Sequence, residues 1–238
     1  MTETENHILT FANGHAVFTG AEVVESFPQP SSISRATIEW HLGQLTKNGK
    51  INRIKRGTYT ANTRPDFIPY DSELDIKLSE KISRWFPGAK VCVYKGTVFS
   101  SLQHHLSYNA LTYIETDRGL TEVLFHRLKE TEPMVFLKPD KQTFNDYVDI
   151  SRPGIIIKPL VSGSPLKTVA GVLVPTLEKL LVDIRCDADF DYLGGAEGRR
   201  MLENALSLYT VNTTKLLRYA GRRHRRELFE KELKEIER

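Results

Sequence analysis

Cysteine is nearly absent: Cys92 and Cys186 are the only two in 238 residues. Neither belongs to a Cys/His cluster with zinc-ligand spacing, and a disulfide framework needs more. Both are expected to be reduced core residues. No apolar run approaches the roughly 18–20 residues of a membrane span. The start, MTETENH, is polar and acidic, unlike a signal peptide. A cytoplasmic protein with no membrane partner is expected. There is no Walker loop, no G-x-G-x-x-G, no repeat and no low-complexity tract, so no cofactor and no metal are expected. A large charge of either sign is also missing. The net value is +3, with 40% hydrophobic and 26% charged residues. That is ordinary for a globular protein, so charge distribution matters more than its sum.

The charge is concentrated in Ser31–Thr60, SSISRATIEWHLGQLTKNGKINRIKRGTYT. Ser34 suits an N-cap, because its hydroxyl can accept from a free first-turn N–H. Ile38, Leu42 and Leu45 then recur at helical spacing. Gly49 sits where a left-handed C-cap residue goes. Ile51, Ile54 and Tyr59 follow around a turn at Arg56-Gly57, as in a two-stranded ribbon. Lys47, Lys50, Arg53, Lys55 and Arg56 fall there with no acid among them. The helix face away from the apolar stripe carries Ala36, Trp40, Gly43, Gln44 and Lys47, with Thr37 and His41 beside it. Such a face suits a DNA major groove, and the ribbon could hold flanking phosphates.

The string L-x-x-L-x-x-x-G-x-I-x-R-I-x-R-G-x-Y, from Leu42 to Tyr59, resembles a winged helix-turn-helix. It is similar in particular to the N-terminal domain of AbiEi-type antitoxins of type IV toxin–antitoxin systems. The resemblance implies a repressor of its own operon that counters a nucleotidyltransferase toxin. Operator DNA and that toxin are then the expected partners. The groove helix would be Ser34–Asn48, with Ser34 at its start. Arg35, Thr37, Gln44 and His41 are the expected base readers. Trp40 either packs on a thymine methyl or sugar or is covered by protein. Lys47, Lys50, Arg53, Lys55 and Arg56 are the expected phosphate contacts, with the wing tip near the minor groove.

Upstream, Thr4–Phe11 reads as a helix, Val17-Phe18 as a short strand and Ala21–Phe27 as a second helix, ended by Pro28 and Pro30. A first domain over 1–62 and a linker over 63–71, overlapping the aperiodic Ala61–Tyr70, are expected. Phe67, Ile68 and Tyr70 also fit an extended arm packed on the next domain. Over 72–238, strands alternate with helices: a sheet flanked by helices, then a helical C-terminus. The class is therefore mixed α/β. Ser72 begins a helix through Leu74, Leu78, Ile82 and Trp85. Strands are expected at Lys90–Tyr94, Leu111–Thr116, Met134–Leu137, Gly154–Leu160 and Leu166–Val174. Helices are expected at Thr97–His105, Leu120–Lys129, Lys141–Val148, Pro175–Asp183, Gly194–Tyr209 and Asn212–Glu237, the last bent at Gly221. The segment PTLEKLLVD (Pro175–Asp183) resembles a helix that follows the sheet in AbiEi-like proteins.

Candidate chemistry in this half is sparse. Arg222, Arg223, Arg225 and Arg226 flank His224 and form a possible second basic patch, either against nucleic-acid backbone or paired with Glu227 and Glu230. Glu178 and Asp183 lie about 140° apart on a helix, and Asp187, Asp189 and Asp191 read as a polar loop. Glu115 and Asp117 resemble strand carboxylates of a nuclease, but no Lys follows at E-x-K spacing. His104-His105 has no partner nearby. The expectation is a DNA-binding regulator that is not an enzyme. The alternative is a metal-dependent nuclease or phosphotransferase that uses Glu115 or Asp183 and is targeted by the winged helix. A protein-interaction scaffold is a third possibility.

Overall fold

Thr-x-x-Glu occurs twice near the start, and each copy opens a helix. In the computed structural model, Thr2 and Glu5 cap α1 (Glu3–Asn13), and Thr19 and Glu22 cap α2 (Gly20–Ser26), both as reciprocal capping boxes. The structure describes all residues except 1, 16, 29–32, 62–63, 70–74, 104–107 and 237–238; the Lys55 side chain is also not described. Pro30, the Ser72 helix start, Leu74 and the His104-His105 pair fall outside the described residues.

The described chain divides into two compact units, residues 1–66 with 208–214, and 67–207 with 215–238. The first contains α1, β1 (Phe18–Thr19), α2, α3 (Arg35–Lys47), β2 (Asn52–Lys55) and β3 (Thr58–Thr60). The strands form an antiparallel sheet in the order β1-β3-β2. Its core joins Ile8, Ala12, Phe18, Val23, Ile38, Leu42, Leu45, Ile51 and Tyr59. Every apolar residue of the α3 stripe is in it. α3 ends at Asn48. The Gly49 N–H bonds the Thr46 carbonyl and the Lys50 N–H bonds the Leu45 carbonyl. This Schellman closure needs the left-handed Gly49, φ 66°. Gly57, φ 75°, makes the wing turn, and its carbonyl accepts the Gly20 N–H at 3.0 Å. Residues 208–214 also belong here: Thr213 donates to the Ile54 carbonyl, and the Thr210 N–H to the Pro65 carbonyl.

The second unit holds a six-stranded mixed sheet, order β6-β7-β5-β4-β9-β8. Its elements are α4 (Ile76–Trp85), β4 (Val91–Lys95), β5 (Leu111–Thr116), α5 (Arg118–Lys129), β6 (Val135–Leu137), α6 (Lys141–Tyr147), β7 (Gly154–Pro159), β8 (Leu166–Val169), β9 (Val172–Pro175), α7 (Leu177–Asp183), α8 (Gly195–Leu208), α9 (Thr213–Arg222) and α10 (Arg226–Ile236). Strands β5, β6 and β7 run parallel, and β4 is antiparallel to β5. Period-2 alternation sends Val93, Ile114, Ile155 and Ile157 into a core with Leu78, Ile82, Leu124 and Leu128 from α4 and α5. The intervening residues face the other side. Phe67 is buried in this unit, and Lys167 donates to its carbonyl.

Three expected elements differ. Thr97–His105 shrinks to a 3-10 turn, Gly96–Phe99. The Asn109 side chain presses on Gly96 so closely that a Cβ would sit 2.2 Å from it. Leu166–Val174 is a hairpin of two strands rather than one, reversed by left-handed Ala170 and Gly171. Asn212–Glu237 is two helices. The break lies at His224, φ 56°, three residues beyond Gly221.

Candidate nucleic-acid interface and a buried charge cluster

On α3, burial separates the expected DNA contacts into two sets. Ile38, His41, Leu42 and Leu45 are buried; Arg35, Ala36, Thr37, Glu39, Trp40, Gly43 and Lys47 are exposed. Ala36, Trp40, Gly43 and Lys47 follow one another at helical spacing along the outer face. Trp40 is 59% exposed. Gln44 is half-buried at the edge of this face.

Several residues have other duties. His41 is only 7% exposed, and its Nδ1 lies 3.7 Å from the Glu5 carboxylate on α1. It cannot read bases from there, which corrects the sequence expectation: the wide inward stripe needed by α1 includes position 41. The Ser34 hydroxyl accepts the Thr37 N–H at 3.1 Å and bonds the Thr37 hydroxyl at 2.8 Å. Ser34 is therefore a helix cap. Arg35 Nε pairs with Glu39 at 3.0 Å, an exposed contact worth little by itself and free to exchange. Lys47, Lys50, Arg53 and Arg56 are exposed. Among the described residues, Lys47, Lys50 and Arg56 make no ion pair.

The second unit collects its charge inward. Glu115 near the end of β5 and Lys158 near the end of β7 are register partners. With Cys92, Tyr94 and Tyr113 they occupy the sheet face opposite the aliphatic core. α7 covers this face. Its Lys179 ammonium contacts the Glu115 carboxylate at 2.7 and 2.8 Å and also pairs with Asp183, one helical turn on. Tyr94 donates to Glu115 at 2.9 Å, and Tyr219 to Asp183 at 2.8 Å. Lys158 reaches Asp187 at 2.8 Å and Asp189 at 3.0 Å; Arg223 also pairs with Asp187. A cavity of about 280 Å³ opens among these groups, beyond the C-terminal ends of β5, β6 and β7. Lys138, Pro139, Val161 and Cys186 are also part of its wall. This is the end of a parallel sheet where ligands commonly bind.

Electrostatics favour the charged forms of Lys158, Lys179 and Asp187. Burial disfavours the Lys158 ammonium, but Asp187 and Asp189 outweigh it and raise its pKa well above the ordinary lysine value. Lys179 is likewise raised: burial opposes its charge, and Asp183 and Glu115 overcome that. Burial would raise Asp187, yet Lys158 and Arg223 hold it down at about 2. Asp183 moves up, chiefly through burial, with Lys179 opposing. Burial also pushes up the Cys92 thiol and the Tyr94 phenol.

Sequence spacing missed this convergence. Glu178 and Asp183 do diverge: Glu178 accepts from the Thr176 hydroxyl at 2.6 Å. The decisive pair is Lys179 with Asp183, at i and i+4. Asp187 and Asp189 are cluster members, whereas Asp191 pairs outside it with Lys141 at 2.7 Å. Asp117 is exposed at the start of α5. One signal was available: Lys158 interrupts the apolar run GIIIKPL, and a buried lysine needs a carboxylate. The basic run also divides. Arg223 turns into the cluster, Arg226 pairs with Glu230 at 2.7 Å, Arg225 donates to the Arg185 carbonyl, and Arg222 to Ser162. Arg223 is thus not part of a surface patch.

Among the described residues, no group of three or more His, Cys, Asp or Glu is placed to hold a metal ion. Between Glu115 and Asp183 the Lys179 ammonium takes the position a cation would need. No described helix is long and apolar enough to cross a membrane.

Residues 37–238 match the DUF6577 family, a family of unknown function. The chain belongs to this family. The DUF6577 match begins in the first turn of α3 and takes in the wing and the whole second unit. No curated protein matches the chain.

Proposed function

We propose that the protein is a DNA-binding transcriptional regulator of the cytoplasm. Its first unit binds operator DNA through α3 and the β2–β3 wing. The observation that carries this is the outer face of α3. It presents side chains not needed by the core, beside the exposed cations Lys47, Lys50 and Arg56, which have no carboxylate partner among the described residues. Phosphate contacts from Lys47, Lys50, Arg53, Lys55 and Arg56 would fix register, and Arg35, Thr37 and Gln44 would read bases. By the resemblance of Leu42–Tyr59 and Pro175–Asp183 to AbiEi-like sequences, it is an antitoxin that represses its own operon and counters a nucleotidyltransferase toxin. A reporter fused to its own upstream region tests this. Expression should be low with the protein and recover with Lys50→Ala plus Arg56→Ala. Unchanged expression in the presence and absence of the protein would count against the regulator. Co-expression with an adjacent nucleotidyltransferase, if rescue of growth fails, would remove the antitoxin part alone.

A second reading, a metal-dependent nuclease or phosphotransferase, draws on the meeting of Glu115 with Asp183. Lys179 between them weighs against it. Magnesium-dependent cleavage of DNA or RNA that is lost in Glu115→Gln would favour this enzyme over the regulator alone.

A further inference from the structure

Gly43 sits in the middle of α3, where glycine is the poorest ordinary choice apart from proline because its backbone loses the most freedom in a helix. Nothing described inside the protein asks for it. A Cβ added there would meet no atom within 4 Å, and its φ is not among the positive ones. The usual reasons for a helical glycine, a tight neighbour or a left-handed backbone, are both absent among the described residues. A close approach from outside would give this glycine a use.

The neighbours of Gly43 on the outer face sharpen this. Ala36 and Gly43 lie roughly one turn to either side of Trp40, so a large indole stands between two nearly bare patches of backbone. Trp40 is 59% exposed, and the His41 ring meets it edge-on, with centroids 4.9 Å apart. An apolar ridge with low flanks fits a surface that receives a flat ring while approaching the helix backbone. Lys47, Lys50 and Arg56, exposed and without ion pairs among the described residues, make that surface a polyanion.

Resting on the DNA-binding reading, we propose that Trp40 is a specificity residue for thymine. Its indole packs on 5-methyl groups in the major groove, while Gly43 lets the α3 backbone approach the base edges. The thymine methyl is the one apolar group that the major-groove edges of the bases present. The indole has area to bury and no need of a polar partner on its ring face. Gln44, one turn beyond Trp40 at the edge of this face, reads a polar edge of a neighbouring pair. The operator should therefore carry thymines at the positions under the centre of α3.

The test is a titration of the full-length protein with its upstream duplex, followed by fluorescence anisotropy. One duplex is natural, and one carries deoxyuridine for every thymidine, which removes the methyls and keeps pairing and charge. The natural duplex should bind about threefold to tenfold more tightly. Trp40→Ala should bind more weakly and lose the preference. Lys50→Ala should weaken both duplexes equally. Gly43→Ala should fold with an unchanged or higher melting temperature and yet bind roughly tenfold more weakly. Equal affinity of the wild type for the two duplexes would overturn the proposal, as would a preference that survives in Trp40→Ala. Normal binding by Gly43→Ala would overturn the role given to Gly43. Absence of salt-sensitive binding to either duplex would overturn the DNA-binding reading itself, a different result from equal binding.

Discussion

The two units handle charge in opposite ways. In the first, Lys47, Lys50 and Arg56 stand on the surface without carboxylate partners among the described residues, and α3 has a glycine and a tryptophan where the core uses neither. In the second, Glu115, Asp183, Asp187 and Asp189 meet Lys158, Lys179 and Arg223 in the interior, and each has an ion-pair partner within the unit. Unpaired surface cations add little to stability and are available to a partner. Paired interior charges dominate local stability and are not available without disruption. On the proposed reading recognition belongs to the first unit, while the charges of the second tie its sheet to its helices.

Breaking the interior network should give the largest effect. Lys179→Met leaves Glu115 and Asp183 buried without their shared cation, and should destabilise the second unit by about 3–5 kcal/mol in denaturant unfolding. Adding Glu115→Gln and Asp183→Asn should recover most of that loss, because the orphaned charges disappear with it. A full loss in the triple variant would mean that packing, not charge, is at stake.

Acid is the next lever. Asp187 is held at about 2 in the folded protein against an ordinary 3.8. Its contribution, about 2 kcal/mol, is complete above the ordinary value and disappears as pH falls through about 2. Asp183 acts in the opposite sense: its raised value means that protonation relieves a buried charge, which offsets part of the loss. In Asp187→Asn the fall in stability between pH 4 and pH 2 should be visibly smaller than in the wild type.

Two changes at the surface of the first unit have smaller effects. Ser34→Ala removes the α3 cap and should destabilise the first unit by about 1 kcal/mol. Lys50→Ala with Arg56→Ala should change stability by less than about 0.5 kcal/mol. The same pair should weaken binding to all duplexes and reduce the salt slope by roughly 0.9 for each phosphate that is no longer neutralised.

Most of the first unit was legible because its signals are local. Thr19, Ser34, Gly49 and Gly57 each mark a cap or turn whose geometry their own chemistry requires. His41 was not, because two residues at the boundary of an apolar stripe differ only in which neighbouring helix covers them. In the second unit, strand positions were legible from β-branched runs, but the order β6-β7-β5-β4-β9-β8 was not. The cluster depends on that order. Glu115 meets Lys158, far along the sequence, because β5 and β7 are neighbours in parallel register. No spacing rule reaches that far, and an E-x-K search along the chain looks in the wrong place for a lysine supplied by another strand or helix.

Operator recognition by the first unit is tested by an anisotropy titration of the full-length protein against its own upstream duplex and a scrambled duplex at two salt concentrations. If α3 reads the operator, binding to the upstream duplex is tighter and is weakened by salt and by substitution of Arg35 or Gln44, with Glu115→Gln binding as the wild type does wherever it folds. Failure to bind either duplex at low salt would contradict operator recognition.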